Sequence, residues 1–290
     1  MTAWDEAAVR EAAIPQGTIR YRELGSGPPV VLVHGLLNNG LLWRDVAPEL
    51  SGDFRVIVPN WPLGSHSPPL RDDADLSPPG LARIVAGFLE ALDLEDVTLV
   101  GNDTGGAISQ LVAVHHPERL ARLVLTPCDA YDNFLPPMFR PLQLAARVPG
   151  AVFVIAQSLR PRPARRLPFA FGWLSKRPLA RDVSDAFLAP VLHDRRIRRE
   201  VAKVLKGISP RHTQEAARRF AEFGKPVLIA WAPEDRFFPM EHAERLSQAF
   251  PDARLERIED SWTYVPTDQP GRTAQLIADF ARRPAGAPAS

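Results

Sequence analysis

Short apolar runs closed by glycine or proline alternate along this chain with stretches of helical period, and that rhythm restricts the fold more than any other feature. The runs are residues 30–33, 54–58, 97–100, 120–125 and 227–231. Helical candidates are 42–50, 79–92, 106–116 and 240–250, with 254–258 as one more strand and 271–281 as a final helix. Parallel neighbours in a sheet need a long crossover, usually a helix. The repeated alternation therefore predicts an α/β fold, a mostly parallel central sheet flanked by helices.

The rhythm breaks between Tyr131 and Glu222, where helical pieces such as 182–192 and 196–207 are separated by prolines. This predicts a core of residues 1–131 and 223–284, an inserted helical cap of 132–222 and a flexible tail, 285–290. Charge divides the same way. Residues 133–222 hold 18 Lys and Arg against 6 Asp and Glu, or +12, leaving −11 for the rest of a chain whose net charge is +1. Parts of opposite sign attract, and a basic lid over a pocket favours an anionic small-molecule substrate. The alternative is that these arginines are solvated helix faces on an acidic core.

The overall charge gives no signal for nucleic acid or membrane binding, and no apolar stretch approaches the length of a spanning helix. The opening MTAWDEAAVREAAIPQ carries acids and does not read as a secretory signal. Cys128, the only cysteine, excludes an internal disulfide and a thiolate metal cluster. A cytoplasmic protein without metal or cofactor is the expectation.

Gly101-Asn102-Asp103-Thr104-Gly105 has the form of a nucleophile elbow, a turn from strand to helix so sharp that its central side chain stands above the sheet. Glycines suit positions where a Cβ would strike the neighbouring turn. Such a corner also sets the central residue at a helix N-terminus, which favours negative charge. The alternative role for Asp103 is a cap on the following helix.

With this motif the chain resembles the α/β-hydrolase superfamily, and within it the aspartate-nucleophile branch of haloalkane dehalogenases and epoxide hydrolases. Val30-Val-Leu-Val-His34-Gly35-Leu36 resembles the oxyanion loop, Asn60-Trp-Pro-Leu-Gly-Ser-His66 the loop after the next strand, and Trp231-Ala-Pro-Glu-Asp235 the strand-end acid. The resemblance implies Asp103 as nucleophile, Asp235 as acid, and the N–H groups of Leu36 and Thr104 as the oxyanion hole. An aspartate there attacks an sp3 carbon to give an ester, which water then hydrolyses with help from histidine.

That histidine is missing. Its position before the final helix holds Thr263, and no histidine follows His242. Threonine accepts no proton near neutral pH, and losing a general base reduces rate by about 10²–10⁴. Candidates for a substitute base or for the pocket wall are His66, His34, Asn38 and Trp262; the other histidines read as helix-surface or loop residues. The branch departs elsewhere too: Thr104 stands where dehalogenases place a halide-binding tryptophan, and residues 133–222 contain no tyrosine to protonate an epoxide. Three functions stay open. Asp103 acts as nucleophile on a small organic substrate, or as general acid/base in a lyase, isomerase or cyclase, or the chain is a silent small-molecule-binding relative.

Overall fold

A computed structural model describes residues 3–282. The expected tail, and residues 1, 2, 283 and 284 of the expected core, lie outside the described residues. One sheet contains β1 (Val9–Ile14), β2 (Gly17–Leu24), β3 (Pro29–Val33), β4 (Arg55–Pro59), β5 (Val97–Asp103), β6 (Leu120–Cys128), β7 (Val227–Trp231) and β8 (Ala253–Arg257), in the order β1-β2-β4-β3-β5-β6-β7-β8. β2 runs antiparallel to β1 and β4, and the remaining pairings are parallel. Every residue of β5 and β7 is buried. Strands covered on both faces need apolar side chains in both directions, which is why they appear as unbroken runs.

The β1–β2 hairpin is absent from the sequence reading. Its strands have one face in water, so Ile19 and Tyr21 are buried while Arg20 and Arg22, which alternate with them, are only half-buried. Arg20 lies opposite Glu11 in the register and binds it at 2.8 Å. Alternation with charges on the wet face leaves no apolar run to find.

The helices are α1 (Ala3–Glu6), α2 (Ala47–Leu50), α3 (Pro78–Ala91), α4 (Thr104–His115), α5 (Arg140–Ala145), α6 (Ala151–Ser158), α7 (Arg181–His193), α8 (Arg195–Gly207), α9 (Pro210–Ala217), α10 (Met240–Ala249), α11 (Val265–Asp268) and α12 (Pro270–Ala281). The single helix expected over 42–50 is instead a 3-10 turn, Gly40–Trp43, followed by α2. Pro48 has no N–H to continue a helix from the preceding turn. Helices α5 to α9 form an insertion between β6 and β7. Its basic helix α8 buries Ile197, Val201, Val204 and Leu205 and presents Arg195, Arg199, Lys203 and Lys206 to solvent.

Several polar ties hold the insertion to the core. The Asp268 carboxylate, buried, accepts from Ser175 Oγ (2.7 Å) and from the N–H groups of Lys176 (2.9 Å), Arg177 (2.9 Å) and Trp262 (3.0 Å). Lys176 pairs with Glu234 at 2.6 Å and Arg177 with Asp260 at 2.7 Å. The opposed charges of the two parts meet here, though exposed pairs contribute about 1 kcal/mol or less each.

Six parallel strands send their C-terminal ends to one edge. Sheet order reverses at β3, whose neighbours are β4 on one side and β5 on the other, and such a reversal opens a crevice above the strand ends. Close packing at the elbow depends on Gly101, where an added Cβ would lie 2.6 Å from Gly106 Cα and 2.6 Å from Ser109 Oγ. Gly101→Ala is expected to lose about 1–3 kcal/mol. Gly87→Ala, in α3 with nothing within 4 Å of the new Cβ, is expected to gain about 0.5–1 kcal/mol. Urea denaturation midpoints check both, and changes of the same sign would defeat this account.

Candidate active site

Asp103 is the last residue of β5 and α4 begins at the next residue, so strand becomes helix within one peptide. The turn holds Asp103 at φ 55°, ψ −134°. A side-chain-bearing residue keeps such a conformation, which costs about 1–3 kcal/mol, only when its surroundings enforce it. Close packing enforces it here. A Cβ on Gly35 would lie 2.5 Å from Asp103 Cγ, and one on Gly105 would lie 2.8 Å from the carbonyl carbon of Val33.

The corner places the Asp103 carboxyl at the floor of a cavity of about 720 Å³. Leu36 and Thr104 line the same floor, so three of the residues picked out in the sequence come together. The walls are apolar, built mainly from Leu135, Phe139, Leu142, Phe171 and Leu174 with Phe238 of the core. Asp103 is the one ionisable side chain among the lining residues. No arginine of the insertion reaches this wall. Arg162, Arg165, Arg166, Lys176, Arg177 and Arg181 border a separate cavity of about 460 Å³. An anionic substrate beside Asp103 therefore finds no cation in this lining.

Burial pushes the Asp103 carboxyl up to about 7, and the charge of Asp235 adds to the rise, while the N–H and hydroxyl of Thr104 favour the anion. Asp235 follows β7. Burial pushes it up to about 6, against the N–H groups of Phe237 (2.7 Å) and Phe238 (2.8 Å), which bind Oδ1 and favour the charged form. Its Oδ2 and the hydroxyl of Thr263 are both buried without a well-formed hydrogen bond. The Thr263 hydroxyl still lies near enough to favour the Asp235 anion. The carbonyl of Thr263 accepts from Asn102 Nδ2 at 2.7 Å, which ties this loop to the elbow.

A third acid, Asp129, was not found from sequence. It follows β6, where the Thr104 hydroxyl donates to its Oδ2 at 3.2 Å and the Leu135 N–H to its Oδ1 at 2.9 Å. Burial, and next the nearby Asp103, hold its pKa well above the usual carboxylate range. Its position at the C-terminal end of a central parallel strand was the available signal.

Neither substitute base stands in the cavity wall. His34 uses both ring nitrogens: Nδ1 lies 2.9 Å from the Gly35 carbonyl, and Nε2 accepts from the Trp61 N–H at 2.9 Å. Burial pushes its pKa down to about 3, so His34 is a neutral structural cross-link and no base. His66 Nε2 is 2.6 Å from Glu200 of α8 and joins core to insertion. Asn38 and Trp262 are likewise outside the lining. Asn38 accepts from the Tyr264 hydroxyl at 2.9 Å, and the Arg236 guanidinium lies 4.0 Å above the Trp262 ring. His212 and His242, read as surface residues, are both buried. Among the described residues no group of three or more His, Cys, Asp or Glu side chains is placed to share a metal ion, and no helix is long and apolar enough to cross a membrane.

This elbow, loop and strand-end acid on a mostly parallel sheet are the parts of one known architecture, and the family model for the alpha/beta hydrolase fold matches residues 28–262. The chain belongs to that family and is a hydrolase-like enzyme of it. It is 28% identical to haloalkane dehalogenase 2 of Mycobacterium bovis, over 91% of each chain. Its fold is similar to that of an alpha/beta hydrolase fold protein from Burkholderia ambifaria, with TM-score 0.79, 24% identity and coverage of 93% of this chain and 97% of that one. It is similar also to the epoxide hydrolase CorEH, with TM-score 0.78, 18% identity and coverage of 94% and 98%.

The perturbed acid makes stability depend on pH. Folded Asp103 titrates near 7 and the unfolded residue near its ordinary 3.8, so between those values the folded chain holds a proton that the unfolded chain has lost. The penalty for charging Asp103 is thus complete above about pH 7 and vanishes below about pH 4. Asp103→Asn is expected to be more stable than the parent at pH 8 by about 2–4 kcal/mol, with the gain shrinking towards pH 4. Denaturation curves at several pH values test this; a gain that does not vary with pH would contradict it.

Proposed function

We propose that this enzyme acts on an apolar small molecule held in the 720 Å³ cavity, with Asp103 as a general acid/base and no covalent intermediate. The observation that carries this reading is the placement of a lone ionisable group on an apolar floor, with its pKa raised to about 7. Near neutral pH both protonation states are populated, the condition under which one group gives and takes protons efficiently. The Asp103 anion removes a proton from a substrate carbon or from an attacking water. The resulting acid returns it to the departing oxygen or to a second carbon. The N–H groups of Leu36, in the loop after β3, and of Thr104, the first residue of α4, lower the energy of negative charge that develops beside them. Asp235 and Asp129 are positioning residues, and the negative charge of Asp235 helps keep the Asp103 pKa high.

A second reading has Asp103 attacking an sp3 carbon and expelling a halide or opening an epoxide, as the names of the dehalogenase and epoxide hydrolase relatives suggest. The elbow geometry favours it. With no imidazole lining the cavity, the resulting ester would have no base to activate water.

Turnover of a panel of apolar esters, epoxides and haloalkanes, followed against pH and by intact-protein mass spectrometry, separates the readings. The acid/base role gives turnover with an inflection near pH 7 and no adduct. Asp103→Asn then loses about 10²-fold or more, while His66→Gln retains turnover. A stable adduct on Asp103 supports the nucleophile instead. Full activity in Asp103→Asn defeats both, and ligand-induced stabilisation without turnover or adduct marks a binding protein.

A further inference from the structure

Residues 133–181 carry nine Lys and Arg and no Asp or Glu, where 34 acids in 290 residues would place about six. The same segment holds every exposed large hydrophobic among the described residues except Val9. Leu144 is 61% exposed, Val148 59%, Val154 66% and Phe169 58%. Helix α5 buries no residue, although half of it is apolar. Exposed side chains of this kind occur singly on ordinary surfaces, and a concentration of them marks a binding face.

The face surrounds the cavity mouth. Met138 and Phe169 are exposed and also line the cavity, so they form its rim. Ala145 and Ile155 line the cavity beside exposed Leu144 and Val154. Exposed Arg140, Arg147, Arg160 and Arg166 are interspersed with these apolar groups, and no acid of the segment neutralises them. Apolar side chains set among uncompensated arginines match the boundary of a lipid layer with anionic headgroups, which attracts cations near its surface. A symmetric pairing with a second copy is disfavoured, because it would set two acid-free surfaces against each other.

We propose that the face formed by α5, α6 and the 167–169 turn docks on an anionic lipid surface, so that the cavity mouth opens towards the bilayer and receives a lipophilic substrate from it. Delivery of substrate rests on the cavity being the site of reaction. Docking does not, and the test reads docking alone.

Flotation with vesicles of phosphatidylcholine, with and without phosphatidylglycerol, provides the measurement. The full-length protein should rise with the phosphatidylglycerol vesicles, less so in high salt, and stay behind with phosphatidylcholine alone. Leu144→Asp/Val154→Asp should lose co-flotation at an unchanged melting temperature, as should Arg140→Gln/Arg147→Gln. Asp103→Asn should float like the parent whatever its activity. The proposal fails if the parent does not rise with anionic vesicles, or if both double variants rise as it does. It fails also if sedimentation shows a dimer that Leu144→Asp/Val154→Asp dissociates, since the face would then join two copies of this chain.

Discussion

The carboxyl of Asp103 is held out of water at a corner of the backbone that its own conformation disfavours, and the rest of the site is arranged around that imposition. Gly35, Gly101 and Gly105 lack side chains where any Cβ would collide with the elbow or its neighbours. The β3–β5 pairing brings the Leu36 loop beside the turn. Burial raises the pKa because the surroundings offer few dipoles to replace the lost hydration. A stable fold would ordinarily avoid such an arrangement, which is what singles this corner out as the candidate site.

The neighbouring acids extend this logic. Asp235 and Asp129 follow β7 and β6, the strands that succeed β5 in the sheet, so three carboxyls collect at adjacent strand ends. Asp235 keeps one oxygen tied to two backbone N–H groups, and Asp129 spends both on Thr104 and Leu135. Asp103 is left as the group facing the cavity. Division of labour among like residues follows from which hydrogen bonds each can make.

Much of this was legible in the residues. Buried parallel strands announce themselves as apolar runs, and the elbow, the Leu36 loop and the strand-end Asp235 are local patterns with fixed places in such a fold. What escaped was whatever depends on a partner distant in sequence. The β1–β2 hairpin alternates too politely with water to stand out. Asp129 gains meaning only when the sheet sets it behind Thr104. His34 and His66 looked available because the groups that occupy them, the Trp61 N–H and Glu200, lie 27 and 134 residues away. The arginines were visible as a count, but their separation from the main cavity is a matter of three-dimensional placement.

Asp268 shows what such distant partners do mechanically. One carboxylate gathers a hydroxyl and two peptide groups from residues 175–177 and a third peptide group from the loop at Trp262, riveting the insertion to the core at that end. Gln143 of α5 reaches only the carbonyls of Leu205 and Ile208 within the insertion itself. With His66 fastened to Glu200 of α8 as a second rivet, the stretch left to yield around a bulky molecule is α5, which buries no side chain of its own.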